Sequence, residues 1–132
     1  MVNVNNMKTN TKKYVDGFVI PIKKKDLAAY KKMAQWGASM WKKYGALEYF
    51  ECVGDDLKIR KGMPQKGFSK LAGLKADETV VFSWIVYKSR AHRDQVNKKV
   101  MSDPSMKDFD PSTMPVDMRR FASGGFKPIV EA

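Results

Sequence analysis

Two acidic residues on predicted strands are the side chains best suited to acid–base chemistry. Asp16 lies inside an otherwise apolar segment, and Glu51 is a second carboxylate on the next predicted strand. A carboxyl group in apolar surroundings has a raised pKa, and it can act as a general base or hold a ligand. The alternative for Asp16 is structural: turn hydrogen bonds, or an ion pair with Arg119 or Arg120. The two acids form an acid–base pair only if the fold brings them together.

The single histidine and the single cysteine exclude most metal chemistry. His92 and Cys52 supply too few ligands for a thiolate or multi-histidine site, so no metal site and no cofactor are predicted. His92 is the residue type of a proton shuttle or a haem ligand. Its neighbours Arg90, Arg93 and Asp94 instead favour an ordinary position on a helix surface. Cys52 is predicted to be an inert, small core residue.

A tryptophan and a serine mark the most apolar segment of the chain, residues 78–87. Because side chains alternate along a strand, Trp84 and Phe82 share one face and Ser83 lies on the other. Trp84 is predicted either to line a pocket for a planar ligand or, more ordinarily, to pack in a core or dimer interface. The catalytic candidates are Asp16, Glu51 and His92. The residues predicted to bind a ligand are Asp16, Ser83, Trp84 and the anion-binding Arg119.

The segments that position these residues show the sequence patterns of helices and of strands. Apolar residues at helical spacing predict two amphipathic helices, and runs rich in β-branched and aromatic residues predict four strands. In chain order they are strand 14–22, helix 25–44, strand 46–53, strand 78–87, helix 89–101 and strand 119–126. This order predicts an α+β, ferredoxin-like βαββαβ fold, in which both helices cover one face of a four-stranded antiparallel sheet.

The predicted strands carry apolar residues on both faces, although the helices cover only one face of the sheet. Strand 78–87 is the clearest case, because nearly all of its residues are apolar. A large bare apolar face is rare on a monomer. Covering such a face contributes on the order of 10 kcal/mol at roughly 25 cal/mol per Å², before the costs of association. The sequence therefore predicts a homodimer, formed sheet against sheet about a twofold axis.

Length, charge and composition place the chain among small single-domain proteins. Its 132 residues carry a formal net charge of +11, and 43% of them are hydrophobic. Residues 1–13 contain lysines and no acid, so we predict a flexible basic tail there and a single domain over 14–132. The absence of a signal-like or membrane-spanning apolar run predicts a cytoplasmic protein with no membrane partner. The glycine-rich segment 54–77 is predicted to be a long irregular loop.

Several short segments carry a resemblance to a known family, and they are spread over the whole predicted domain. They are YVDGF at 14–18, EC at 51–52, VVFSWI at 80–85, MSDP at 101–104 with MK at 106–107, and GGF at 124–126. In these segments the chain resembles the YbaA-like bacterial family of unknown function, domain of unknown function family 1428. The resemblance implies a dimeric α/β barrel built from ferredoxin-like subunits. Similar barrels include cofactor-independent monooxygenases, haem-handling enzymes and small-molecule binders.

The first functional hypothesis is a homodimeric barrel that binds a small molecule between its sheet and its helices. Asp16, Glu51 and Trp84 would face that pocket, with or without cofactor-independent catalysis. A non-catalytic interaction or regulatory protein is a further hypothesis, and it requires no well-formed pocket with convergent polar groups.

The remaining hypothesis is a basic RNA-binding module, because the RNA-recognition motif has the same order of elements. That motif stacks bases on aromatic residues of its first and third strands, where this chain has Tyr14, Phe18, Phe82 and Trp84. The characteristic RNP1 octamer is absent from the third strand. Nucleic acid is therefore the less favoured partner.

Overall fold

Two ten-residue strands form the centre of an antiparallel sheet in the computed structural model, which describes residues 3–132. The strands are β1 (Lys8–Thr9), β2 (Tyr14–Lys23), β3 (Glu48–Val53), β4 (Glu78–Tyr87), β5 (Ala122–Phe126) and β6 (Val130–Glu131). The helices are α1 (Leu27–Lys43), α2 (Phe68–Leu71) and α3 (Arg90–Met101). The sheet order is β3-β4-β2-β5, and β2 pairs with β4 along its whole length. The predicted βαββαβ order and four-stranded antiparallel sheet are confirmed.

Strand alternation divides the sheet into a helix face and an open face. The helix face comprises Tyr14, Asp16, Phe18, Ile20, Tyr49, Glu51, Val81, Ser83, Ile85 and Tyr87. The open face comprises Val15, Gly17, Val19, Phe50, Cys52, Phe82, Trp84, Val86 and Phe126. Neighbouring strands share each level of the pleat, so Phe50, Trp84 and Gly17 lie side by side.

Both long helices pack on the helix face, as predicted. The buried residues of α1 recur every three or four positions on one side of the helix, and they are Tyr30, Ala34, Gly37 and Met40. From α3, Val96 and Val100 pack with Ile85 and Tyr87 in the larger core cluster. Gly45 ends the α1 region with a φ of +112°, a conformation that favours glycine. Among residues 3–132, no helix is long and apolar enough to cross a membrane.

The last strand begins later than predicted, and this changes the surroundings of two arginines. Residues 118–120 form a 3-10 turn, in which the Asp117 side chain accepts a hydrogen bond from the Arg119 backbone N–H. An aspartate-capped turn competes with the extended conformation, and strand β5 starts only at Ala122. Arg119 and Arg120 therefore lie before the strand and not within it.

The two segments predicted to be irregular contain short ordered elements. The predicted tail includes β1, which pairs with β6, and Lys13 forms an ion pair of 3.0 Å with Glu131. Flexibility of the tail stays a prediction. The segment 54–77 is irregular apart from α2, whose Phe68 ring contacts the Phe82 ring edge to face at 5.7 Å. This contact connects the long loop to the rim of the open face.

Candidate ligand-binding site

A carboxylate held by two tyrosines lies between the sheet and α1. The hydroxyl of Tyr30 donates a hydrogen bond of 2.7 Å to Glu51 Oε2, and the hydroxyl of Tyr49 donates one of 2.9 Å to Oε1. Tyr49 and Glu51 are two positions apart on β3, so their side chains lie on the same face of the sheet, which is the helix face. Tyr30 reaches the same carboxylate from the first half of α1. The predicted orientation of Glu51 is therefore correct, and its partners are both neutral hydroxyls.

The protonation states of the two tyrosines follow from their surroundings. Burial, first of all, and then the adjacent Glu51 carboxylate raise the pKa of Tyr30 and of Tyr49 far above the ordinary tyrosine value. Both hydroxyls therefore stay protonated at every physiological pH and act as fixed donors. A carboxylate has about four lone-pair positions, so Glu51 retains capacity for a further donor.

Next to this carboxylate is a cavity of about 170 Å³ between the sheet and α1. Its polar residues are Glu51 and Ser83, and its walls are otherwise almost entirely apolar. Half of the residues in the wall are aromatic, and they are Phe18, Tyr30, Trp36, Trp41, Tyr49, Phe50, Phe109 and Phe121. A wider groove of about 510 Å³ between α1 and β3 shares Glu51, Tyr30 and Tyr49 with the cavity. Glu51 thus lies where this cavity meets the wider groove.

Asp16 belongs to a separate polar cluster on the same helix face. Its Oδ1 accepts a hydrogen bond of 2.7 Å from Arg93 Nη1, and the Arg93 guanidinium lies 4.9 Å from the centroid of the Tyr14 ring. Arg93 also binds Asp94 at 2.7 Å. The prediction that an arginine pairs with Asp16 is right in kind but wrong in the partner. Arg119 binds Asp117 instead, because the turn before β5 places these two side chains together.

The structure does not bring Asp16 and Glu51 into one acid–base pair. Across the sheet, Asp16 lies at the level of Ile85, whereas Glu51 lies at the level of Ser83, one step of the pleat away. Strand β4 separates their two strands. Asp16 lines a different pocket of about 310 Å³ with Arg93, and Glu51 lines the aromatic cavity.

Trp84 does not face this cavity, which corrects the expectation that it lines the pocket beside Asp16 and Glu51. It lies on the open face and stacks on Phe50, with ring centroids 4.9 Å apart and an interplanar angle of 16°. Phe82 lies at 5.6 Å on its other side. Ser83 lies on the opposite face from Trp84, as the alternation predicts, and it faces the helices and lines the cavity.

The prediction for Cys52 is wrong, and the aromatic residues of the RNA alternative are divided between the two faces. Cys52 is exposed on the open face and is not a core residue, because it pairs with Phe82 and shares that residue's orientation. Tyr14 and Phe18 lie on the helix face, so these two aromatic residues do not join Phe82 and Trp84 on one stacking surface.

His92 has a local structural role, as its neighbours in the sequence suggested. Its Nδ1 accepts a hydrogen bond of 3.0 Å from the Lys88 backbone N–H, and its ring contacts Tyr87 edge to face. Burial, followed by the charges of Lys88 and Lys99, lowers the pKa of His92. It lines none of the cavities described above. Among residues 3–132, no three or more histidine, cysteine or acidic side chains are grouped to hold a metal ion.

Tyr30, Tyr49 and the other aromatic residues of the cavity wall were not predicted as site residues. A pattern was available for one of them, because Tyr49 and Glu51 are separated by one strand residue and must share a face. The contributions of Phe109 and Phe121 come from the irregular segments around 3-10 turns, where no periodic pattern predicts orientation.

Comparison with known proteins finds relatives over nearly the whole chain. The model of a family described as "Protein of unknown function (DUF1428)" matches residues 13–118. The uncharacterized protein YbaA of Escherichia coli K12 is 45% identical over 121 residues, which are 90% of this chain and 98% of that protein. The same identity and coverage hold for YbaA of Shigella flexneri. These matches confirm the resemblance that the short sequence segments carry.

A solved structure supports the fold. The crystal structure of a dimeric ferredoxin-like protein from an uncultured marine organism covers 91% of this chain and 98% of its own, with a TM-score of 0.56 and 16% identity. This likeness confirms the ferredoxin-like fold class.

Proposed function

This chain belongs to the DUF1428 family of proteins of unknown function, and we propose from its geometry that it is a homodimer that binds a small molecule. The binding site is the cavity between the sheet and α1. The ligand has an apolar body that fits the aromatic wall and one polar group that reaches Glu51.

The arrangement around Glu51 is the observation that carries the proposal. A single carboxylate with fixed hydroxyl neighbours lines an otherwise largely apolar cavity. Ligand sites combine these two features, because apolar walls supply affinity and a few placed polar groups fix orientation. The same carboxylate can accept a proton from a bound molecule, and a cofactor-independent enzyme at this site would use that step.

The homodimer is supported by the exposed aromatic residues of the open face. Phe50, Phe82 and Phe126 are 46%, 44% and 61% exposed, and Trp84 lies among them. Exposed apolar surface of this kind favours association. A second copy is the occupant we propose, because the open face is a broad, pleated surface that matches itself about a twofold axis. The similar solved structure is also described as a dimeric ferredoxin-like protein.

Isothermal titration with 2-naphthol, a planar molecule with one hydroxyl donor, tests the binding site. We expect one molecule bound per chain. The substitution Ala34→Leu adds bulk at the cavity wall and should weaken binding by tenfold or more. The matched control is Ala28→Leu, the same change on the exposed side of α1, which should leave binding unchanged. Equal binding to both variants would contradict the proposed site, and a folded wild type that binds neither 2-naphthol nor choline would contradict the proposed function.

RNA binding is the weaker alternative, and the open face is the observation that bears on it. Phe50, Phe82 and Trp84 could stack on bases, but Tyr14 and Phe18 lie on the opposite face. The dimer interface proposed above would also cover the three aromatic rings. Tight, steeply salt-dependent binding of a single-stranded RNA by the dimer would favour the RNA alternative.

A further inference from the structure

The acids that are buried most deeply in residues 3–132 each have a cationic partner. Asp16, Glu78 and Asp103 are each 8% exposed. Their ion-pair partners are, in the same order, Arg93, Arg120 and Lys43. This is the usual arrangement, because an uncompensated charge away from water is costly.

Glu51 departs from this arrangement. It is half-buried, and within residues 3–132 its carboxylate forms no ion pair with a lysine, arginine or histidine. Two tyrosine hydroxyls solvate its oxygens but supply no positive charge. Lys31, on the wall of the adjoining groove, is exposed to solvent. The cavity therefore contains a carboxylate whose charge the surrounding protein does not neutralise.

The walls of the cavity suit a cation as well. Aromatic rings attract positive charge through their quadrupoles, and the attraction is strongest where water is excluded. Trp36 and Trp41, the ring type with the strongest attraction, line the cavity together with Tyr30 and Tyr49. A volume of about 170 Å³ accommodates a small alkylated ammonium group. A ring of aromatic residues with one carboxylate is the arrangement that recognises such groups.

We infer that the cavity beside Glu51 binds an organic cation, with an alkylated ammonium group between the aromatic rings and its charge next to the carboxylate. This inference rests on the proposed function and adds to it the chemical class of the ligand.

The test compares two molecules of the same shape and different charge. Choline and its neutral isostere 3,3-dimethyl-1-butanol are titrated separately into the full chain, with binding followed by calorimetry. We expect choline to bind at least tenfold more tightly, because only the cation interacts with the carboxylate and the ring faces. Glu51→Gln keeps the shape and one of the two acceptor oxygens but removes the charge, so it should abolish the preference for choline. Glu48→Gln, on the same strand but exposed, is the matched control and should keep it.

The possible results separate this inference from the proposed function. Equal affinity for choline and the neutral isostere, or a preference that survives Glu51→Gln, overturns the inference and leaves a cavity that binds neutral ligands. Binding of 2-naphthol without binding of choline also overturns the inference and leaves the proposed function standing. If none of the three probes binds to a folded wild type, both the inference and the proposed function fail. Thermal melts of each variant check that a lost signal is not lost folding.

Discussion

Arg120 binds the carboxylate of Glu78 with both terminal nitrogens of its guanidinium group. Nη1 lies 2.6 Å from Oε2, and Nη2 lies 2.9 Å from Oε1. The same Nη2 donates to the Gly73 carbonyl, and the Lys75 backbone N–H donates to Glu78. One ion pair thereby joins the start of β4, the end of the loop 54–77 and the turn before β5.

This ion pair makes the stability of the protein depend on pH. The hydrogen bond from Arg120, followed by that from Lys75, lowers the pKa of Glu78 from 4.5 to about 2. Since the pKa is lower in the folded state, the stabilisation is complete above about pH 4.5 and is lost as the pH falls toward 2. Glu78→Gln should lower the Tm at neutral pH by several degrees and flatten its decline over that interval. Thermal melts in a pH series measure both effects.

The control for that experiment is the neighbouring surface pair. Asp117 binds Arg119, which is 90% exposed, so Asp117→Asn should change the Tm much less. Asp103, whose pKa is lowered by Tyr44 and Ser105, stays in every variant, and its contribution cancels in the comparison. If Asp117→Asn lowers the Tm as much as Glu78→Gln does, the Glu78–Arg120 pair does not stabilise the protein more than an exposed pair.

Gly37 is needed because the Tyr49 hydroxyl lies directly above it. A Cβ atom at residue 37 would lie 2.9 Å from Tyr49 Oη, closer than real contacts allow. Gly37→Ala should therefore displace the tyrosine and destabilise the protein, although alanine favours a helix by about 0.5–1 kcal/mol. In a Tyr49→Phe background the oxygen is gone, so the same substitution should stabilise by a similar amount. Denaturant unfolding of the four proteins gives this double-mutant cycle. Equal effects of Gly37→Ala in the two backgrounds would disprove the contact.

The Asp16–Arg93 pair is largely buried, with side-chain exposures of 11% and 19%. Asp16→Asn leaves the guanidinium with Asp94 alone and should cost about 3 kcal/mol, because removal of one partner leaves an incompletely paired charge. Adding Arg93→Gln should recover part of this loss. Urea unfolding of the two single variants and the double variant measures the coupling. Strictly additive losses would show that the two side chains do not interact.

A single charge placed on the open face should prevent the proposed dimer from forming. Phe50→Glu puts a carboxylate next to Trp84, and a sheet-to-sheet dimer would bury one such charge from each subunit. We expect a dimer at micromolar concentration for the wild type and a monomer for this variant in sedimentation velocity. Met101→Glu, an equally drastic change at an exposed position of α3, should remain dimeric. A monomeric wild type would contradict the proposed assembly.

The order and type of the elements were accessible from the sequence, because each follows from the spacing of neighbouring residues. The β4 segment was predicted with its observed bounds, since ten nearly continuous apolar residues allow only a central strand. The opposite orientations of Ser83 and Trp84 follow directly from the period of two. That Tyr49 and Glu51 share one face follows from the same alternation along β3.

Only the tertiary structure decided which partner each polar group has and which side of the sheet the helices cover. Asp16 pairs with Arg93, which lies 77 positions further along the chain, and the sequence had suggested Arg119 or Arg120. Trp84 lies on the open face rather than toward the pocket, because alternation distinguishes two faces without saying which of them the helices bury. The site at Glu51 combines helix α1, three strands of the sheet and two irregular segments. Local periodicity determines the conformation of each segment, whereas contacts between distant segments depend on how those segments pack, and no short-range pattern encodes that.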